Sequence, residues 1–271
     1  MTLDFDALTS RLRLTRASFA AATPFPHVVV EDFLPEAIAD DLAAEFEDRS
    51  IGWRHLHHVN ERKRVFGDRD RMGPAAGAVV DALHSRRFVT TLAELTGVPE
   101  LVGDPDLDGA GLQETHPGGH LNVHVDALAH SKRKRWSRQL NLILFLNRNW
   151  EDEYRGCLEF WDANARNRVR SYAPVFNRCV IFRTSDTSFH GVPEGVACPA
   201  GRTRKSLALY YFREEERVVP LRPTRYVPRP ADPLVRRALI HVDRGLVALY
   251  SMLKRYTPLD DVRASRLLRW L

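Results

Sequence analysis

The region from about Leu101 to Phe212 consists of short apolar runs separated by Gly, Pro, Asn and Asp. This pattern is typical of an all-β unit, because each run has the length of a strand and each break the composition of a turn. The run Leu140–Leu146 is apolar on both faces apart from Asn141, which predicts a buried central strand. We therefore expect a mainly β chain with flanking helices (α+β), built around a double-stranded β-helix of the jelly-roll, cupin-like kind.

The first hundred residues favour helices over strands. Their apolar periodicity, with Pro or Gly near the ends, predicts four helices and one strand. The expected helices are at about 3–21, Pro35–Phe46, Pro74–His84 and Arg87–Leu95, and the strand is at Phe25–Val30. The chain is thus expected to comprise a support region at 1–100, the β core at 101–212 and a tail at 213–271, together forming one compact unit.

The tail begins with an arm rich in Pro and Arg at 218–230. Proline cannot continue a regular helix, so the arm is expected to run extended over the surface. Helices are predicted after it at about Pro233–Tyr256 and Leu259–Trp270. The tail holds thirteen Lys and Arg against seven Asp and Glu, and therefore accounts for the net charge of +5 of the whole chain.

Six apolar residues of the first tail helix recur at helical spacing, so one face of that helix is expected to be buried. They are Leu239, Val242, Leu246, Leu249, Tyr250 and Leu253. The favoured interpretation is that this face packs on the β core or across a homodimer interface. Peripheral contact with a membrane surface, or binding to an acidic partner, is the alternative. Nucleic acid is disfavoured, because aromatic residues are not interleaved with the basic ones.

The triplet His124-Val125-Asp126, followed far downstream by His190, carries the strongest chemical signal. Residues i and i+2 of a strand point to the same face, so His124 and Asp126 project together. Two imidazoles and one carboxylate are the ligand set of non-haem Fe(II) oxygenases. Because the chain has 11 histidines, the triplet alone is weak evidence. The strand context, the Gly-Val-Pro after His190 and the basic triplet that follows strengthen it.

That basic triplet is Arg204-Lys205-Ser206. The guanidinium fork of an arginine can bind a carboxylate through two hydrogen bonds, which predicts a keto-acid cosubstrate beside the metal. Strand alternation places Arg204 and Ser206 on one face and Lys205 on the other. Arg204 is therefore favoured, and Arg202, which precedes the strand, is the second choice.

The stretch from about Asp104 to Phe212 resembles the Fe(II)/2-oxoglutarate-dependent dioxygenases, and within them the prolyl-4-hydroxylase-like group. The residues that carry the resemblance are His124 and Asp126, Phe145-Leu146-Asn147 with Trp150, Gly156-Cys157-Leu158-Glu159-Phe160-Trp161, His190, and Arg204 with Ser206. The resemblance implies that His124, Asp126 and His190 bind Fe(II) and form the catalytic centre. It also implies that Arg204 and Ser206 bind the distal carboxylate of 2-oxoglutarate.

Two positions depart from the pattern of that family. Thr115 stands where the family often has a tyrosine, and Asn141 stands where a threonine is common. Both residues keep the ability to form hydrogen bonds. We therefore expect Thr115 and Asn141 to help bind the cosubstrate, with altered contacts around it.

The implied reaction uses Fe(II), 2-oxoglutarate and O2, hydroxylates an unactivated C–H bond and releases succinate and CO2. Ascorbate is a further reductant that the resemblance allows. Related halogenases replace the carboxylate ligand with a small residue, so the intact Asp126 favours hydroxylation. The expected substrate is amino-acid-like, carrier-bound or a peptide. Three rivals stay open: a prolyl or peptidyl hydroxylase that acts on a protein, a cupin-like metal enzyme that does not use 2-oxoglutarate, and a binding module with a vestigial metal site.

A basic run at 130–138 follows Asp126 almost at once, so it is expected near the rim of the metal pocket. Within it, the candidates for contact with an acidic substrate are Lys132, Arg133, Arg135 and Trp136. Solvated surface is the alternative for the charges. Trp136 fits the core as well as a substrate.

The composition describes a globular protein, with 44% hydrophobic and 28% charged residues. No apolar run is long enough to predict a transmembrane helix, and the N-terminus lacks the layout of a signal peptide. Three scattered cysteines predict neither structural disulfides nor a zinc site. We therefore expect a cytoplasmic protein, in a reducing environment that keeps iron ferrous.

Overall fold

The computed structural model describes residues 5–48 and 52–257. This part of the chain holds six α-helices and thirteen strands. The helices are α1 Phe5–Leu14, α2 Arg16–Ala21, α3 Glu36–Ala44, α4 Pro74–His84, α5 Arg86–Thr96 and α6 Leu234–Tyr256. The strands are β1 His27–Val30, β2 Arg54–His58, β3 Glu61–Phe66, β4 Leu101–Gly103, β5 Gly111–Thr115, β6 His120–Val125, β7 Trp136–Phe145, β8 Leu158–Trp161, β9 Arg168–Tyr172, β10 Cys179–Arg183, β11 His190–Val192, β12 Arg204–Glu214 and β13 Arg225–Tyr226.

The strands form one curled antiparallel sheet, in the order β1-β10-β7-β12-β5-β3-β6-β11-β8-β9. β2 pairs with β3, β4 with β12, and β13 with β6. The sheet curls into a half-barrel of the jelly-roll kind with a few helices beside it, so the predicted fold class is confirmed. Because neighbours in the sheet are remote in sequence, the curl brings β6, β11 and β12 around one interior.

The alternation along β7 and β12 separates the apolar core from the barrel interior. Leu140, Leu142 and Leu144 of β7 are fully buried against the helices, as the apolar run predicted. The same core contains apolar residues of β12 and of the helices, namely Leu207, Leu209, Tyr211, Leu8, Leu12, Phe19, Leu42, Leu83 and Leu92. The residues between them, which include Asn141 and Ser206, face the opposite side of the sheet. This layering fixes which side chains can reach the site.

The N-terminal region follows the prediction in its helices but not in its strands. The first predicted helix is two helices that meet at Thr15, and the other three lie within two residues of their predicted bounds. The hairpin β2–β3 was not predicted. Its sequence is dominated by charged and histidine residues, which hide the apolar alternation of a strand, and β2 pairs only with β3. Charged side chains are common on such edge strands.

The tail contributes to the sheet and then covers it. Its arm is extended, as expected, and Arg225 and Tyr226 pair with Val125 and His124 of β6. α6 follows within one residue of the predicted bounds. The second predicted tail helix lies outside the described residues. Among the described helices, none combines the length and apolar character that crossing a membrane needs.

The expectation that the apolar face of α6 packs on the β core is wrong. Leu239, Val242, Leu246 and Leu249 are each at least half exposed. The helix docks instead through a mostly polar face, with Ile240 fully buried at its centre. The orientation of α6 is set by its hydrogen bonds to the β2–β3 hairpin and to β6, and not by burial of its apolar residues.

A polar cluster holds α6 to the β2–β3 hairpin. The Nδ1 of His58 lies 2.9 Å from the Oδ2 of Asp243, and the side-chain amide of Asn60 donates to the same oxygen at 2.5 Å. The Nε2 of His58 lies 3.5 Å from Glu61, which also pairs with Lys63 at 2.8 Å. Burial alone would lower the pKa of His58, but the hydrogen bonds to Asp243 and Glu61 outweigh it and raise the pKa to about 9.

The charged form of His58 should stabilise the fold in a pH-dependent way. Since its pKa is about 9 in the folded protein against 6.5 ordinarily, its contribution is complete below about pH 6.5 and is lost as the pH rises through 9. The loss should be at most about 3 kcal/mol in the free energy of unfolding. Urea unfolding of the unaltered chain and of His58→Gln across this range measures it.

His55→Gln is the matched control, because His55 lies on the same strand with an exposed side chain. The control should keep the pH dependence of the unaltered chain, and His58→Gln should flatten it. Equal slopes for all three proteins would contradict the role given to His58.

Candidate active site

His124, Asp126 and His190 converge on one point inside the half-barrel. Their ligand atoms all lie within 4.8 Å of one another, and all three residues are buried. The Nε2 of His124 lies 3.4 Å from Oδ1 of Asp126, and the Nε2 of His190 lies 3.5 Å from Oδ2. Two imidazole nitrogens and a carboxylate at this separation could hold a metal ion.

Backbone carbonyls fix the orientation of both imidazole rings. The Nδ1 of His124 donates to the carbonyl of Asn122 at 2.8 Å, and the Nδ1 of His190 donates to the carbonyl of Ser188 at 3.0 Å. In a neutral ring this bond leaves Nε2 without a proton, and the Nε2 of each residue faces the carboxylate of Asp126. This is the tautomer that a metal-binding histidine requires.

The electrostatics of the three residues also suit a cation. Burial, reinforced by the neighbouring His124, lowers the pKa of His190 to about 4, so this ring is neutral at neutral pH. Burial would raise the pKa of Asp126, but His190, His124 and Arg138 hold it well below its usual range. The carboxylate is thus ionised, and neutral imidazole with ionised carboxylate is the state that binds metal.

Two residues of β7 contact the carboxylate of Asp126. The side-chain amide of Asn141 donates to Oδ2 at 2.5 Å. The Nη1 of Arg138 lies 3.6 Å from Oδ1, and its guanidinium stacks on Tyr210 at 3.7 Å. Arg138 is buried and its Nε has no hydrogen-bond partner among the described residues. The sequence predicted that Asn141 binds the cosubstrate. In the structure, its side chain forms a hydrogen bond with Asp126.

Arg204 is a buried cation without a carboxylate partner in the described part of the chain. Its Nε donates to the carbonyl of Gly156 at 2.7 Å, and its guanidinium lies 4.9 Å from the centre of the Phe145 ring. Burial lowers its pKa to about 10, so it stays protonated at neutral pH. Buried charges are normally paired, so this one is poised for an anion that the protein does not supply.

Gly156 allows this contact. Its φ of +72° lies in the left-handed region, and a Cβ there would meet the Cδ of Arg204 at 3.2 Å.

The other predicted cosubstrate residues lie beside Arg204. Thr115 is buried and stands opposite Arg204 in the pairing of β12 with β5. Ser206 is buried two residues further along the same face, opposite Gln113. Arg202 points away, because its Nη1 donates to the carbonyl of Asn149 at 2.8 Å.

The basic run contacts mainly other parts of the surface. Arg133 pairs with Asp106 at 2.9 Å and lies over the ring of Trp136, and Arg135 pairs with Glu214. Lys132 is exposed. Contact of these residues with substrate stays a prediction.

A second group of acids and a histidine lies close to this run. Asp104, Asp106 and His130 have ligand atoms within 4.8 Å of one another. However, the Oδ1 and Oδ2 of Asp104 accept the backbone N–H groups of Asp106 and Asp108, and Asp106 pairs with Arg133. The carboxylates are thus used to order the loop.

Sequence reasoning missed three residues of the site. Tyr210 continues the face of Arg204 and Ser206, so extending the alternation would have found it. Arg138 could not be found in that way, because a bulge in β7 between the pairs Tyr211–Leu140 and Phe212–Arg138 shifts it to the other face. Tyr226 stacks on His124 with ring centres 5.4 Å apart.

Residues 110–212 match the family model of the 2OG-Fe(II) oxygenase superfamily, and this range includes the His-Asp-His group and Arg204. Residues 110–212 therefore form a domain of the 2OG-Fe(II) oxygenase superfamily. That family implies Fe(II), 2-oxoglutarate and O2 as the cofactor set, as the sequence predicted. No curated protein matches the chain.

Solved structures of similar fold include oxygenases of this kind. A Pseudomonas putida prolyl-4-hydroxylase has a TM-score of 0.55 and 18% identity, covering 76% of this chain and 100% of that one. A prolyl 4-hydroxylase from Phytophthora capsici has a TM-score of 0.54 and 15% identity, covering 98% and 88%. An oxidoreductase of the 2OG-Fe(II) oxygenase family from Burkholderia pseudomallei has a TM-score of 0.50 and 14% identity, covering 77% and 94%. At these identities the likeness shows the fold.

The unpaired charge of Arg204 predicts a gain in stability when it is removed. Arg204→Met keeps the length of the side chain and removes the buried cation, so the oxygenase without ligands should become more stable by on the order of 1 kcal/mol. Urea unfolding without metal or 2-oxoglutarate measures this change.

Arg202→Met is the control, because Arg202 is partly exposed near the start of the same strand. It should change stability by less than about 0.5 kcal/mol. A clear loss of stability in Arg204→Met would show that its bond to Gly156 and its stacking on Phe145 outweigh the cost of burying the charge.

Proposed function

We propose that His124, Asp126 and His190 bind the Fe(II) of this oxygenase and that Arg204 binds the distal carboxylate of 2-oxoglutarate. The observation that carries this proposal is the convergence of the Nε2 atoms of His124 and His190 on the carboxylate of Asp126. These residues and their supports come from four strands, β6, β7, β11 and β12, and from the loops beside them.

The protein's own groups have separate tasks in this proposal. The carbonyls of Asn122 and Ser188 hold the imidazole rings in place, and Asn141 occupies one oxygen of Asp126 so that the other is left for the metal. Arg204, with Ser206 and Thr115 on the same face, orients the cosubstrate by its far end. Iron and 2-oxoglutarate, when bound, supply the oxidising chemistry, with succinate and CO2 as the products of the cosubstrate.

The apolar surroundings of the site restrict water. His190 packs edge-on against Phe182 with ring centres 4.8 Å apart, and the Tyr226 ring lies against that of His124 with ring centres 5.4 Å apart. An environment of this kind strengthens the electrostatic interactions of the site and protects reactive species from side reactions.

Turnover of 2-oxoglutarate to succinate without added substrate tests the metal ligands. His124→Ala should lower the rate at least about 100-fold, because loss of a ligand or its support weakens metal binding or activity by such factors. His120→Ala is the control on the same strand, since His120 bonds to the carbonyl of Val59 and not to the site. Equal rates for His124→Ala and the unaltered chain would contradict the proposal.

The Michaelis constant for 2-oxoglutarate tests Arg204. Loss of a charge-assisted, two-point hydrogen bond costs about 2–4 kcal/mol, which corresponds to a rise of roughly 30- to 1,000-fold in KM. Arg202→Met should leave KM within about twofold. An unchanged KM in Arg204→Met would favour the rival in which Arg204 is dispensable.

Two versions of the proposed function differ in the substrate that is hydroxylated. Hydroxylation of an amino-acid-like or carrier-bound small molecule is the first, and hydroxylation of a prolyl residue in a protein is the second. The fold similarity to the Pseudomonas putida prolyl-4-hydroxylase favours keeping the second version. Proline-rich peptides that raise succinate formation above the substrate-free rate would support it.

The cellular setting is also proposed. All three cysteines are free, which fits a reducing cytoplasm in which iron stays ferrous. The uncovered apolar face of α6 fits a homodimer or contact with a membrane surface, and light scattering with and without vesicles separates the two.

A further inference from the structure

A cavity of about 460 Å³ opens beside Asp126. Its wall comes from the end of β6, the loop before β11, the arm before β13, and α6. The lining residues are Val125, Asp126, Leu128, Asp186, Leu221, Arg222, Pro223, Thr224, Arg225, Arg244 and Ala248. Most of the wall is thus built by the tail, which lies outside the residues that match the oxygenase family.

The cavity carries an excess of positive charge. Asp126 is already faced by Arg138, and Asp186 is the only other acid in the wall. Arg222 lies 3.6 Å from the carboxylate of Asp186, and both side chains are more than half exposed. Arg225 donates to the backbone carbonyl of Asp186 at 2.8 Å and lies over the Phe189 ring, and it pairs with no carboxylate among the described residues.

Arg244 is the cation best placed to bind a ligand. It lies on α6 and is partly buried, and its side chain makes no ion pair or hydrogen bond with any described residue. A partly buried guanidinium without a partner favours an anion. Two apolar residues, Val125 and Leu128, line the same cavity together with Asp126.

We propose that this cavity is the substrate site and that it selects a small molecule with an apolar body and a terminal carboxylate or phosphate bound by Arg244. The volume lies within the range of about 300–1,000 Å³ that is usual for small-molecule sites. The inference rests on the proposed function, because the cavity faces a reacting centre only if Asp126 binds iron. It assigns the choice of substrate to the tail, whereas the chemistry belongs to the barrel.

Three probes with the same phenyl ring test the charge preference: phenylacetate, benzyl phosphate and the neutral phenylacetamide. Their binding to the metal-free full chain is measured by calorimetry or ligand-observed NMR. At least one anion should bind about tenfold more tightly than the amide, which is what one charge-assisted hydrogen bond contributes. The tighter of the two anions identifies the group as carboxylate or phosphate.

Variants of Arg244 test whether this residue causes the preference for anionic probes. Arg244→Gln should lose it, and Arg244→Lys should keep part of it because the charge remains. Arg237→Gln is the control, because Arg237 is exposed on α6 and does not line the cavity. Equal melting temperatures of Arg244→Gln and Arg237→Gln establish that both are folded.

The outcomes separate this inference from the proposed function. Binding that does not depend on charge, binding unchanged in Arg244→Gln, or no binding of any probe at millimolar concentration would overturn it, even if 2-oxoglutarate is consumed normally. Conversely, a charge preference that depends on Arg244 in a protein that does not consume 2-oxoglutarate would leave an anion site and refute the proposed function alone.

Discussion

The antiparallel register that sets His190 opposite His124 is the constraint on which the rest of the site depends. The two residues are far apart in the chain, and only the pairing of β11 with β6 brings their rings together, with centres 4.4 Å apart. A shift of one residue would turn either ring to the other face of the sheet. The neighbours of β6 and β11 in the sheet therefore serve the site even where they contribute no ligand.

The metal group and the fold class could be predicted because each depends on local patterns. The His-x-Asp spacing follows from strand alternation, and the short apolar runs follow from a two-layered sheet. The position of Arg138 could not be predicted, because a bulge reverses its face and no residue type marks a bulge in this strand. The hairpin β2–β3 was missed since its exposed, charged residues resemble a loop. The face of α6 was assigned wrongly, because its spacing shows which residues are alike but not which side meets the protein.

Two buried arginines give the site an electrostatic character that the metal group alone would not have. Arg204 lies beside Gly156 and Phe145, and Arg138 lies beside Asp126. Keeping two guanidinium groups away from water costs stability, which natural proteins tolerate mainly where function requires it. The positive groups of the interior are thus already in position, which reduces the reorganisation of the protein when an anion binds.

The pairing of β13 with β6 joins the tail directly to the strand that carries His124. A contiguous C-terminal segment therefore forms most of the cavity wall, while the barrel supplies the His-Asp-His group. Because this segment is continuous in sequence, changes confined to it alter the cavity wall and leave the residues of the His-Asp-His group in place. Tyr226 couples the two parts, because it belongs to the tail and its ring contacts that of His124.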